Sequence, residues 1–218
     1  MPDKLFDIRE ITAQSPEQAD APVRTHRRKT QCFELSTKYL YRRAFSEMSL
    51  LDACREFEFQ NGHAYHFITG GDVDSLSYLK AILRQQPLTY CLFSTWCMAA
   101  EDILQFEEWL QEGRIEHLDA YVGEIFPNSY RIEYQLLKDV FARNRGGGRI
   151  AVFKNHSKIY AGIGPKFAFA VETSANINTN PRTENGCITI DLGLYQFYRD
   201  FFDGIKSFEH DQTDIRTE

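Results

Sequence analysis

The sequence has no apolar run near the roughly 20 residues that a membrane-crossing helix needs, so a spanning protein is not expected. Its N-terminal stretch MPDKLFDIREITAQ lacks the charged-then-apolar layout of a signal peptide. Cysteine is sparse, and the residues present (Cys32, Cys54, Cys91, Cys97, Cys187) are odd in number and scattered. That disfavours a disulfide framework and fits reduced thiols, so a cytoplasmic protein is expected. No CxxC or Cys/His pair has zinc spacing, and no carboxylate cluster of metal-site type is visible. Internal repeats and low-complexity tracts are absent as well, which excludes solenoids and arrays.

What is present is an ordinary globular chain. Its 218 residues suffice for one domain with a sizeable core, and 43% apolar with 26% charged residues is the usual balance. The net charge of −6 excludes a protein that coats nucleic acid everywhere. The distribution is uneven, however. Residues 24–43 carry seven Lys/Arg against Glu34 alone, and residues 131–158 carry seven more against Glu133 and Asp139. Two solvated basic faces would read the same way. The second stretch, which holds Arg145 and Arg149, runs directly toward the motif described below, which suits a protein meeting a polyanion at one place.

Along the chain, residues 1–44 read as a polar and basic arm, a candidate contact for nucleic acid or for a protein partner. Three-residue apolar spacing from Ser46 predicts a helix with Met48, Leu51 and Cys54 inward. Strands are expected over 64–69, 88–95 and within 115–126. Between them come helices with Leu76, Leu79 and Leu83, then Ile103, Phe106 and Leu110, inward. Ile132, Leu136, Val140 and Phe141 mark the next helix, and a fourth strand begins at Arg149. A last helix, 192–208, is expected to bury Leu194, Tyr198, Phe201, Ile205 and Phe208 before a polar tail, 209–218. Strand–helix alternation implies an α/β fold, a mixed and mostly parallel sheet with helices on both faces. Ligands of such sheets bind outside the carboxyl ends of the strands, which here include Ser94-Thr95-Trp96. Trp96 would line a cleft there or pack in the core.

The chemistry concentrates in residues 150–184. His156 and Lys158 stand two apart on an expected strand, so both would leave one face. Eighteen residues after His156 comes Ser174, in the run Thr173-Ser174-Ala175-Asn176, and Glu184 follows. A neutral imidazole is a direct nucleophile for a phosphodiester. Lys158 and Asn176 are suitable donors for charge building on the phosphate oxygens. Ser174 would bond a phosphate oxygen or hold the neighbouring strand in register. Glu184 or Glu172 would accept the second N–H of the histidine and fix its tautomer.

This combination, H-x-K followed by ETSANINTNPRTEN, resembles the phospholipase D superfamily, whose half-site reads H-x-K and then G/S-S-x-N. The wording is similar to that of phage and bacterial nuclease-like members. The resemblance is strongest over 150–185 and extends by element order over about 46–208. It implies a phospholipase D-like domain over 45–208, with His156, Lys158, Ser174, Asn176 and Glu184 as the catalytic set. Arg145, Arg149, Thr173 and Trp96 would contact substrate. It also implies catalysis with no cofactor and no metal. Two departures stand out. Ile163 occupies the position of the Asp usually found five residues after the Lys, although the tyrosyl-DNA phosphodiesterase branch lacks it too. The turn 162–165 lengthens the gap to Ser174. No second H-x-K half is present, so a homodimer is expected to bring two copies of His156 together. The implied activity is metal-independent hydrolysis of nucleic-acid phosphodiesters through a phosphohistidine. The alternatives are a catalytically weak or inactive module that binds nucleic acid or protein, and a lipid phosphodiesterase.

Overall fold

In the computed structural model, residues 46–55, 58–178 and 181–208 are described. They all belong to the second of the chain's two units, Phe45–Glu218. The basic arm of residues 1–44 and the tail from 209 lie outside the described residues.

Seven strands form one sheet: β1 (His63–Ile68), β2 (Tyr90–Thr95), β3 (Leu118–Gly123), β4 (Gly147–Phe153), β5 (Ile159–Ile163), β6 (Ala168–Thr173) and β7 (Asn185–Ile190). Their order is β1-β7-β6-β5-β2-β3-β4. The helices are α1 (Leu76–Gln85), α2 (Ala100–Gln111), the short α3 (Phe126–Ser129), α4 (Arg131–Arg143) and α5 (Leu192–Asp203). Residues 46–53 form a further helical stretch. The α/β class, the mixed sheet and the helices on both faces are as expected.

The parallel share is smaller than the alternation implies. Only β2, β3 and β4 run parallel, and every other pairing is antiparallel. The physical reason is connection length. A parallel neighbour needs a crossover of a dozen or more residues, and between sheet neighbours only the connections through α2 and α4 provide one. The links after β4 and β5 are too short for that, so their strands must reverse.

The stretch from Ile150 to Ile163 also proves to be two strands, β4 and β5. Residues 155–158 carry no strand structure, so His156 and Lys158 lie in the β4–β5 connection and not on a strand.

One sheet face packs against α1, α2 and α4. Phe93, Ala120, Val122, Val152, Phe169 and Ile188 meet Leu79, Ile82, Phe106 and Leu137 there. The opposite face, with Leu92, Tyr121, Ala151, Ala161 and Ala168, is covered by Tyr195 and Phe202 of α5. The register of α5 differs from the expected one, because Phe201 and Phe208 are exposed and the helix stops at Asp203. A single helix lying on a sheet buries a narrow stripe, so part of its apolar set faces solvent. Met48 and Ile132 are exposed for a similar reason, each one position off the buried stripe of its helix.

The pairing directions bring the carboxyl ends of β1, β2, β3, β4 and β6 and the amino ends of β5 and β7 to one edge of the sheet.

Candidate active site

Because β4 is an edge strand and β5 lies beyond β3 and β2, residues 154–158 must pass over the ends of both. This crossing is what carries His156 and Lys158 to the middle of the sheet edge. His156 is exposed, and its ring lies 5.5 Å from that of Trp96, tilted by 53°. Trp96 follows β2 directly. Gly123, at the end of β3, makes room for it, since a Cβ there would stand 2.8 Å from Trp96 Cδ1 and 3.0 Å from the Asn155 oxygen.

Lys158 is only 8% exposed. Its Nζ donates to the His156 carbonyl at 2.7 Å and lies 2.9 Å from His156 Nδ1 and 3.4 Å from Nε2. Burial lowers its pKa, and nearby Cys97 and Glu184 oppose that shift.

The S-x-N segment joins from the next strands. Thr173 donates its N–H to the Lys158 carbonyl at 3.1 Å, which ties the end of β6 to the start of β5. Ser174 exchanges bonds with Asn185 in both directions, its N–H to the Asn185 carbonyl at 3.1 Å and its Oγ from the Asn185 N–H at 3.0 Å. Its hydroxyl also donates to the Glu184 carboxylate. Ser174 therefore holds β7 in register, one of the two roles the sequence left open. Glu184 is fixed at its backbone by Thr69, whose N–H reaches the Glu184 carbonyl at 2.9 Å. Asn176 is held by its carbonyl, which accepts from Ser75 N at 3.1 Å. Its side-chain Oδ1 is buried without a hydrogen-bond partner among the described residues. Ile177 anchors the loop below, accepting from Ala99 N at 2.9 Å.

Thus His156, Lys158, Trp96, Thr173, Ser174, Asn176 and Glu184 gather at one edge. Arg145 and Arg149 do not. They precede or begin β4, at the opposite end of a strand roughly 20 Å long. The Arg149 guanidinium donates to the carbonyls of Asp203 and Ile205, and so fastens the end of α5. Its N–H goes to Asp119 Oδ1 at 2.6 Å. Arg143 pairs with Glu107 at 2.7 Å. The basic stretch 131–158 is therefore divided between the two sheet ends, with Lys154 and Lys158 at the end that holds His156. Glu172 is also engaged elsewhere, accepting from Tyr198 of α5.

Sequence reasoning missed Asn155. This side chain is buried beneath the crossing segment and binds Ser94, Thr95, Tyr121 and Ser157. Its neighbour His156 was the signal, but the need for an amide there comes from the crossing, which the sequence pattern does not announce. Among the described residues, no group of three or more His, Cys, Asp or Glu side chains is placed to hold a metal ion.

No family model matches the sequence, and no curated protein matches it. Among solved structures, the chain is similar to a polyphosphate kinase from Porphyromonas gingivalis, with 16% identity and a TM-score of 0.49 over 69% of this chain and 27% of that one. It is also similar to a phosphatidylserine synthase from Haemophilus influenzae, with 11% identity and a TM-score of 0.42 over 64% of this chain and 37% of that one. The chain thus spans well under half the length of either protein. Fold and site together define an α/β protein with a histidine, a buried lysine, a serine–glutamate pair and an amide converging at one sheet edge.

Proposed function

We propose that this chain is a metal-independent phosphodiesterase of phospholipase D type that hydrolyses nucleic acid through a phosphohistidine on His156. The observation that carries the reading is Lys158, 8% exposed, with its Nζ 2.9 Å from Nδ1 of the exposed His156. Burying a charge is costly, and an incoming phosphate would offset that cost. The resemblance in residues 150–185 supplies the same roles.

In the proposed step, a ring nitrogen of neutral His156 attacks phosphorus and a P–N bond forms. The bond from phosphorus to the leaving oxygen breaks, and that oxygen takes a proton from a general acid. The chain has one H-x-K, so the acid is the protonated His156 of a second copy. Water then attacks phosphorus, gives its proton to that second imidazole and releases the first. Lys158 holds the phosphate oxygens as their charge grows, and Ser174 and Glu184 keep the β6–β7 side of the site in register. The departure at Ile163 does not touch these steps. Ile163 pairs with Tyr90 at the far end of β5, about 13 Å of strand away from Ile159.

Nucleic acid is favoured over other phosphodiesters by exposed Lys154 at the site edge and by the basic residues in 24–43. A cytoplasmic setting agrees with the free cysteines Cys54, Cys91, Cys97 and Cys187. Among the described residues, no helix is long and apolar enough to cross a membrane.

The test is incubation with plasmid and single-stranded DNA or RNA in EDTA, beside His156→Ala. Cleavage by the wild type alone is expected. Binding by both proteins without cleavage would instead support a binding module, and a strict need for added Mg²⁺ would remove the mechanism.

A further inference from the structure

We propose that Asn155 is the positioning residue that fixes His156 for attack, by clamping the β4–β5 crossing onto the ends of β2 and β3. The proposal rests on the reading of His156 as nucleophile.

The need for a clamp follows from topology. The crossing passes from β4 over β3 and β2 to β5, three strand spacings or about 14 Å. Residues 155–158 have no strand ladder to hold them there. Unladdered backbone at a buried position needs other partners, and a nucleophile on such a segment would otherwise wander.

Asn155 supplies those partners. It is 5% exposed. Its Nδ2 faces the Tyr121 carbonyl at 3.0 Å and the Thr95 carbonyl at 3.3 Å, the last turns of backbone at the ends of β3 and β2. Carbonyls only accept, so the amide nitrogen must point toward them, and the orientation of the side chain is settled by its surroundings. The same Nδ2 lies 2.9 Å from Ser94 Oγ. Ser94 Oγ is 2.6 Å from Ser157 Oγ, and Ser157 Oγ donates to Asn155 Oδ1 at 2.7 Å. Once the amide donates to Ser94, the ring can close in one direction only: Asn155 to Ser94, Ser94 to Ser157, Ser157 back to Asn155. The backbone is tied as well, with Ser157 N–H to Asn155 Oδ1 at 2.9 Å and Asn155 N–H to Glu124 Oε2 at 3.3 Å.

His156 therefore sits between two residues that are each anchored to the sheet. Its backbone is fixed on both sides, and the remaining freedom is that of its own side chain, over which Trp96 leans. An amide is required for this. Aspartate would lose both donors and place a charge among carbonyl oxygens, and serine is too short to reach two strands.

The test uses Ser157→Ala and Asn155→Asp beside the wild type, with steady-state cleavage of DNA in EDTA, melting temperature and amide hydrogen exchange over 154–158. Ser157→Ala breaks the ring without removing the buried amide, so it is the variant expected to fold normally. The expected result is kcat lower by about 100-fold with KM within about threefold, as for loss of orientation and not of binding. Faster exchange over 154–158 is expected alongside an unchanged melting temperature. Wild-type kcat in both folded variants would overturn the proposal, as would a fall in kcat that only tracks the unfolded fraction. If the wild type cleaves nothing, it is the proposed function that fails. The clamp then stands or falls on exchange alone, with unchanged protection in Ser157→Ala sinking it.

Discussion

Lys158 concentrates the trade between stability and function at a single residue. Its burial lowers its pKa below the 10.5 of an ordinary lysine, so its charge is lost at a lower pH than usual. Between that lowered value and 10.5 the unfolded chain binds more protons than the folded one, and stability rises with pH in that window. The proposed anion binding runs the other way, since it would need the ammonium. Calorimetric titration with inorganic phosphate is expected to show affinity falling on the alkaline side before pH 10.5 is reached. Lys158→Met is expected to melt no lower than the wild type while losing this binding and its pH dependence. Binding that is flat up to pH 10.5 would contradict the role given to Lys158. The residue types of the site were legible in the sequence because H-x-K and T-S-A-N are local patterns. Asn155 was not, because its purpose depends on which strand ends lie beneath it.

At the scale of elements, the attachment of α5 to the sheet is polar as well as apolar. Asp119 of β3 is the hub. It accepts from Tyr90 at 2.7 Å and from Arg149 N at 2.6 Å, and pairs with His117 at 3.1 Å. Arg149 in turn holds the α5 end. Burial alone would raise the Asp119 pKa, but the bonds from His117, Arg149 and Tyr90 together outweigh it and hold the carboxyl below its usual value. A depressed carboxyl contributes stability above its unfolded pKa and loses it as pH falls through the folded one. Asp119→Ala leaves the partly buried Tyr90 hydroxyl and Arg149 amide short of a partner, and about 2 kcal/mol of stability is expected to go. Urea unfolding at neutral pH should show that loss, and the gap to the wild type should shrink below the usual aspartate range. Equal stabilities at neutral pH would show the hub to be unimportant. Element types and most apolar stripes were legible from periodicity. The far-face register of α5 was not, because all its aromatic residues fit more than one stripe. The β4–β5 break was missed as well, although the five polar residues 154–158 between two apolar segments mark it in the sequence.

At the scale of the whole molecule, the one-sided site is the central fact. Every proposed catalytic side chain lies at one sheet edge, and a single copy has only one H-x-K. A two-fold dimer with these edges facing is the arrangement that provides both nucleophile and acid. Light scattering is expected to give a particle of twice 25.4 kDa. Heterodimers of wild type with His156→Ala are expected to lose activity, because their one shared site would lack one of its two imidazoles. A monomer that cleaves DNA would contradict this. The single H-x-K is plain in the sequence, but the sequence put the basic residues 131–158 on one surface. A helix followed by a reversed strand sends Arg145 and Arg149 to one end and Lys154 and Lys158 to the other, and only the sheet order reveals it.

The most direct measurement of the central claim is mass spectrometry of the protein quenched at neutral or alkaline pH during turnover of a short oligonucleotide in EDTA. The account predicts a transient nucleotidyl adduct on the peptide carrying His156, absent from His156→Ala. Turnover with no such adduct, or an adduct on another residue, would contradict it.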